Sequence, residues 1–439
     1  MVDRARIEKG LQRLAIRLDH ARRVDRRVRR MAPEGQASGA TPTHVAVASR
    51  GQDVAGPDDA NGARRPPPGG VGSARWVVLT AAIPWFVSRI LVAAAFVIAH
   101  QRAVTGHLSP DAAARVRDGL LGWDAGWYES IARHGYSGAG HASLRFFPLV
   151  PLLARGLSVL PGLGVGAALV VVSNLCALAA TMWLVVLVRE EKGDASLARR
   201  AAWFVSLAPP AFTLVMGYAE GTLLLLSVGT FWALRKRKWW LAAALGFLAG
   251  LCRPIGVLLV LPALVEAARG FRSQAPRELF RRGAAVVGPA VGFGAFLGWV
   301  GWRYGDALAP LKIQEEGGHR GAFADPFRTL AHDASYLAHG HHIGSALHVP
   351  WVLVALALLA VSLRYWPLSY GVFAGAVLVA ALTTSNLDGF ERYALSAFPL
   401  VLALASLARR EWSERAILVA SGAALTAYAV LAFTNVYVP

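Results

Sequence analysis

The sequence predicts an all-α polytopic integral membrane protein of about 11 transmembrane helices, with interfacial or re-entrant helices on its outer face. Three observations carry that expectation. Apolar residues make up 55% of the 439 residues and charged residues only 16%, against roughly 45–50% and about 25% in ordinary globular domains. Mean hydropathy is +0.44. The net charge of +18, from 45 Lys and Arg against 27 Asp and Glu, gathers at the N-terminus and in short clusters between apolar runs, as the cytoplasmic loops of membrane proteins do. Disorder, a collagenous fibre and a disulfide scaffold are excluded. The two cysteines, Cys176 and Cys252, sit in apolar runs and report packing rather than redox chemistry.

Residues 1–75 form a basic cytoplasmic segment and linker ahead of a transmembrane domain over 76–439. Ile7, Leu11, Leu14, Leu18 and Ala21 recur at helical spacing among arginines, the pattern of an interfacial helix drawn to anionic lipid. A solvated basic tail, or an upstream extension with translation starting at Met31, explains the same residues. No secretory signal is read there, for lack of an apolar core before a small-residue cleavage site. Residues 33–74, rich in Gly, Pro, Ala and Asp, read as a disordered linker.

A helix needs about 20 apolar residues to cross a bilayer. The expected spans are 76–99, 163–188, 200–216, 218–234, 239–252, 254–269, 283–303, 349–364, 367–383, 393–408 and 416–436. Basic clusters set the orientation: Arg189 to Arg200, Arg235 to Lys238, Arg272 to Arg282 and Arg409 to Arg415 belong inside with the N-terminus. The stretch 146–161 would invert every later cluster if it crossed. It is therefore read as a short interfacial or re-entrant helix interrupted by Pro148 and Pro151. The protein is then a multi-pass plasma-membrane protein. Loops 100–145 and 304–348 fall outside, together with the turns near Gly217–Gly221, Cys252–Pro254 and Thr384–Arg392. Ionisable groups at the membrane are costly and mark functional candidates. The basic charge is topological, and no soluble module displays it, so no nucleic-acid partner is expected.

The first outer loop runs Trp123-Asp124-Ala125-Gly126-Trp127-Tyr128-Glu129-Ser130-Ile131-Ala132-Arg133-His134-Gly135-Tyr136, with Arg145-Phe146-Phe147-Pro148 following. Trp123, Trp127 and Ile131 share one helix face, and Asp124 lies one turn from Tyr128. A carboxylate flanked by indole rings is partly desolvated, which raises its basicity and suits a general base acting on a hydroxyl. Asp at this position also suits a helix N-cap.

These residues resemble the PIG-V-like mannosyltransferases of the GT-C glycosyltransferase superfamily, whose first outer loop carries a WDA-x-W/H-Y/F-x-x-IA-x-x-GY pattern and then FFP. The match is dense over 123–151. Weaker similarities follow at Ala208-Pro209-Pro210 with Tyr218-Ala219-Glu220, at Leu251-Cys252-Arg253-Pro254-Ile255-Gly256, and at Glu391-Arg392-Tyr393-Ala394-Leu395 with Phe398-Pro399. Gly221 replaces a small hydroxylated residue and Cys252 a threonine. Loop 304–348 matches only through Gly305-Asp306 and Gln314.

The resemblance implies a GT-C-like transmembrane catalytic domain. Its reaction would be inverting transfer of mannose from a polyprenyl-phosphate donor to an acceptor hydroxyl on the outer face. No cofactor is firmly expected, and a divalent metal is optional. Asp124 would be the catalytic base. Arg392 and Arg253 would bind the donor phosphate. From the second loop one histidine, His319 or His332, is read as contacting donor phosphate or acceptor, with His319 taken for the phosphate. Trp123, Trp127, Tyr128, Tyr218, Glu220, Asp306 and Tyr393 would bind substrate or support the site. Membrane anchoring by snorkelling is the competing reading of both arginines, and pairing to an arginine that of Glu220. The second loop also holds His332, His339, His341, His342 and His348. His339-x-His341-His342 lacks a carboxylate at helical spacing, so the loop is read as solvated. The Arg-over-Lys bias fits a GC-rich bacterial genome, and with it a glycolipid or glycan acceptor. A GT-C transferase of another sugar or of a protein substrate is the alternative enzyme. A lipid or sugar transporter would place ionisable groups at mid-span and show internal repeats, and a scaffold would not need Asp124 among aromatics.

Overall fold

The structure is a computed structural model and describes residues 73–271, 274–316, 321–339 and 348–438, without the side chains of 336–339. The interfacial helix and nearly all of the linker expected at the N-terminus lie outside the described residues, as do His319, His341 and His342.

Within them the chain is helical, with no strand beyond an isolated bridge between Phe323 and Thr384. The helices are α1 (Ala74–Val104), α2 (Pro110–Asp118), α3 (Asp124–Ala139), α4 (Leu149–Leu157), α5 (Val165–Lys192), α6 (Ala195–Leu207), α7 (Glu220–Arg235), α8 (Trp239–Cys252) and α9 (Val260–Ala268). After these come α10 (Pro276–Tyr304), α11 (Ala309–Glu315), α12 (Pro326–His339), α13 (His348–Tyr365), α14 (Leu368–Leu382), α15 (Phe390–Ser396), α16 (Pro399–Leu407) and α17 (Glu411–Phe433).

Five of them, α1, α5, α10, α13 and α17, are long and apolar enough to cross a membrane; α15 and α16 together would make a sixth, bent by 82°. The other expected spans are shorter or broken. The segment 200–216 is no single helix: α6 stops at Leu207 and a 3-10 turn runs over Pro209–Leu214, because consecutive prolines cannot donate to the preceding turn. The segment 254–269 likewise opens with a 3-10 turn over Pro254–Leu259. The stretch 146–161 holds only the nine-residue α4, which starts directly after Pro148 and keeps Pro151 in its first turn.

The helices are built for lipid. Helix α1 turns Ile83, Phe86 and Ile90 outward and buries Ala81, Ser88, Val92, Ala95 and Ala99. Small residues inward and large apolar ones outward is the arrangement of a bilayer helix, where packing rather than water exclusion draws helices together. Helices α8 and α10 meet along Gly246, Gly250, Gly288 and Gly292. A Cβ at Gly250 would lie 2.2 Å from the Pro289 carbonyl oxygen, and one at Gly292 1.9 Å from that of Phe247. Two GxxxG stripes therefore let these backbones touch.

Irregular backbone in an apolar surround must find polar partners. The turn after Pro209–Leu214 finds them on α1 and α5. Arg89 donates to the Leu214 carbonyl at 2.8 Å and to Asn174 Oδ1 at 2.9 Å, while Asn174 donates to the Val215 carbonyl at 2.8 Å. Arg89 is thus a structural clamp. It fixes the segment that delivers Tyr218 and Glu220 to the end of the bundle near α3.

Candidate active site

The chain enters α3 through an unfavourable turn. Trp123 has φ 59° and ψ −128°, a conformation that side chains disfavour and that costs of order 1–3 kcal/mol. Its ring is tied down on two sides. Trp123 Nε1 donates to the Ala432 carbonyl at 3.0 Å, and the Arg115 guanidinium lies 4.2 Å above the indole. The turn makes Asp124 the first residue of α3, with no capping hydrogen bond from its neighbour. Asp124 is therefore not the N-cap. Its carboxylate sits at the positive end of the helix and points toward another element.

That element is α15. Arg392 donates to Asp124 Oδ2, and its Nε lies 3.2 Å from Glu220 Oε1. Arg253, in the extended residue between α8 and the following 3-10 turn, donates to Glu220 Oε1. Asp124, Arg392, Glu220 and Arg253 thus form a chain of alternating charge drawn from four separate segments. Each guanidinium also faces a ring, Arg392 that of Tyr218 at 5.5 Å and Arg253 that of Tyr393 at 5.3 Å. Such stacking suits the planar, weakly hydrated guanidinium.

Burial pushes the Asp124 carboxyl upward, but Arg392 beside it, with Arg253 and Arg145 farther off, pulls it below the ordinary carboxylate range. The basicity expected from flanking indoles is therefore not the resting condition: the arginines offset desolvation, and Asp124 is ionised. Burial raises the Tyr128 phenol well above its usual value, which keeps it protonated.

These groups line a cavity of about 480 Å³. Asp124, Arg115, Arg145, Arg253 and Arg392 supply charge to it, and Trp123, Trp127, Tyr128 and Tyr393 its aromatic wall. Pro310, Leu311 and Gln314 from α11 and Thr384 and Asp388 from the loop before α15 close the other side. Among the described residues no three His, Cys, Asp or Glu side chains gather as a metal site requires. The carboxylates of Asp124 and Glu220 are taken by guanidiniums instead, a donor set that does not fit a divalent cation.

Residues 74–269 match the family model described as Mannosyltransferase (PIG-V). Over those residues, less than half of the chain, it is similar to the PIG-V mannosyltransferases. That similarity supports a glycosyltransferase and suggests mannosyl transfer as its reaction. No curated protein and no solved structure matches the chain. The PIG-V match contains Trp123, Asp124, Tyr128, Arg145, Tyr218, Glu220 and Arg253, whereas Arg392 and Tyr393 lie beyond it.

Two positions where this chain departs from the expected pattern have local causes. A Cβ at Gly221 would already lie 2.6 Å from the Ser173 carbonyl oxygen of α5, so no larger residue fits without a shift. The Cys252 thiol points at the Ala219 carbonyl at 3.7 Å, doing weakly what a threonine hydroxyl would do.

Of the residues singled out in the sequence, Asp124, Arg392, Arg253, Glu220, Tyr218, Trp123, Trp127, Tyr128 and Tyr393 come together here. Asp306 does not. It sits in the exposed turn before α11, accepts from the Leu308 amide at 2.9 Å and pairs with Lys312 at 2.7 Å, which together hold its carboxyl low. His348 is no solvated loop residue: it is 1% exposed and lies 2.8 Å from Glu391 Oε2, which also accepts from Tyr437 at 2.7 Å. That buried cluster braces α15 directly beside Arg392. His332 remains exposed, near Asp333. Sequence reasoning passed over Arg145, although it stood beside the quoted Phe146-Phe147-Pro148, and over Asp388 and Arg115. A cation flanking an aromatic motif was the available signal for Arg145.

Proposed function

We propose that this chain transfers mannose from a polyprenyl-phosphate-linked donor to the hydroxyl of a glycolipid or glycan acceptor at the outer face of the plasma membrane. The observation that carries the reading is the contact of Asp124 with Arg392 on the wall of an amphipathic cavity. It pairs an ionised carboxylate, able to take a proton, with a cation able to follow developing negative charge.

In a single displacement, the acceptor hydroxyl gives its proton to Asp124 as its oxygen bonds to the anomeric carbon. The bond from that carbon to the phosphate oxygen breaks. Its electron pair stays on the phosphate, so polyprenyl phosphate leaves with one more negative charge and the anomeric configuration inverts. Arg392 and Arg253 supply positive field for that charge. Glu220 holds both guanidiniums in place, and the aromatic wall seats the sugar.

Orientation is supported by the charge at the far end of the bundle. Helix α5 packs Gly166 against Leu121 near the cavity and, at about 1.5 Å per residue, carries Lys192 to the far end of its 28 residues. There Lys192, Arg200 and Arg409 line a second cavity. With that end cytoplasmic, the N-terminus is inside, the eleven apolar segments are crossings, several of them short or bent, and the Asp124 cavity opens outward.

The test incubates membranes containing the chain with labelled polyprenyl-phosphate mannose and compares wild type with Asp124→Asn. Lipid-dependent transfer that falls by about 10²–10⁴-fold in the variant is the expected result. Undiminished transfer by the variant, or transfer from a nucleotide sugar without lipid donor, would overturn the reading.

A further inference from the structure

Four arginines line the cavity, and three have carboxylates. Arg392 is taken by Asp124 and Glu220, and Arg253 by Glu220. Arg145 is different. It ends the 3-10 turn over His141–Arg145, between α3 and α4. Its guanidinium lies 4.7 Å from the Phe146 ring centroid and 5.8 Å from that of Trp127, and its buried Nε has no hydrogen-bond acceptor. Among the described residues no carboxylate pairs with it. Arg115, at the rim, has Asp118 at 3.2 Å.

An unpaired cation held on aromatic rings in a partly desolvated cavity is costly unless an anion completes it. Burial and the neighbouring Arg392 push Arg145 below its ordinary value, while Asp124 pulls it up, so the guanidinium is short of negative charge. The planar fork is pre-oriented by its rings. That geometry suits the paired oxygens of a phosphate ester.

We propose that Arg145 is the direct ligand of the donor's phosphate. Its free fork binds the phosphodiester oxygens of the polyprenyl-phosphate sugar, and retains the phosphate as its charge rises on leaving. Arg392 and Arg253 then act mainly by holding the two carboxylates and by their field. The inference rests on the cavity being the donor site. It differs from the expectation that Arg392, Arg253 and His319 share that contact.

The experiment measures binding by the purified full-length protein in detergent, using wild type, Arg145→Lys and Arg145→Gln. The probes are polyprenyl phosphate, the corresponding polyprenol, and a diacyl phosphatidate lacking the polyprenyl chain. Wild type is expected to prefer the phosphate over the polyprenol by at least about tenfold. Arg145→Gln should erase most of that preference while leaving polyprenol binding unchanged, with Arg145→Lys intermediate because a point charge replaces a fork. Unchanged polyprenol binding also shows that the variants are folded. In transfer assays, Arg145→Gln should raise the donor KM more than it lowers kcat. If wild type prefers the phosphate and Arg145→Gln keeps the full preference, the assignment to Arg145 fails and the donor reading stands. If wild type shows no preference, the donor reading fails and takes this assignment with it. Loss confined to phosphatidate binding would move Arg145 to an acceptor lipid and overturn the proposal.

Discussion

Arg392 donates to the carboxylate of Asp124 across 268 positions of chain, and the same guanidinium stands 3.2 Å from Glu220. One of the cations whose field is proposed to steady the leaving phosphate is thus also the cation that sets the state of the proposed base. Substitutions at 392 should therefore affect chemistry more than affinity. Arg392→Gln is expected to lower kcat by about 10²–10³-fold, the scale of removing one group aimed at developing charge. Arg392→Lys should lose less. A fall confined to donor KM in both variants would contradict this coupling.

The pH dependence follows from the depressed Asp124 carboxyl. Its base form exists above its folded pKa, which lies below the ordinary 3.8, so the wild-type rate should show no acid limb from this group between about pH 5 and 8. Any stability that Asp124 adds is likewise present above its unfolded value and lost as pH falls through the folded one. With Arg392→Gln, burial is no longer opposed at close range, and an acid limb should rise into the measurable window. A pH–rate profile of both proteins checks this. A wild-type acid limb centred near pH 6 would argue against Asp124 as the base.

Glu220 is 3% exposed and serves two guanidiniums. Removing its charge leaves both short of a partner in a buried site, a loss of about 3–5 kcal/mol by comparison with other broken buried pairs. Glu220→Gln should melt well below wild type in detergent. Adding Arg253→Gln should recover part of the loss, because one stranded charge is removed with it. A double variant less stable than the sum of the singles would show that the network is not the cause.

The α8–α10 seam predicts a position-dependent response to single methyl groups. Gly292→Ala places a Cβ 1.9 Å from the Phe247 carbonyl oxygen, and Gly250→Ala places one 2.2 Å from that of Pro289. Each should lower the yield of monodisperse protein several-fold. Gly298→Ala, on the same α10 with nothing within 4 Å of its Cβ, should express as wild type. Equal yields for all three would rule out close backbone contact along this seam.

The helical class, the membrane setting and the tryptophan-rich motif at the head of α3 were legible in the sequence because each rests on local properties. Hydropathy over about 20 residues decides insertion, and residues 123–136 carry their pattern within four turns. Broken spans were harder to read. Pro209-Pro210 and Pro399 were visible, yet whether a proline ends a helix or bends it depends on what satisfies the freed carbonyls. For the first break that partner is Arg89, more than a hundred residues upstream.

Nothing in one chain's order of residues says that Arg392 meets Asp124, that Glu220 is shared, or that Arg145 has no carboxylate among the described residues. Those are outcomes of packing α3, α7, α8 and α15 around one cavity. They also reversed the sign expected for the Asp124 carboxyl. Flanking indoles are sequence neighbours and argue for desolvation, but the guanidinium that outweighs them arrives from the other end of the chain. Electrostatic state is set by distance in space, which only the tertiary structure decides.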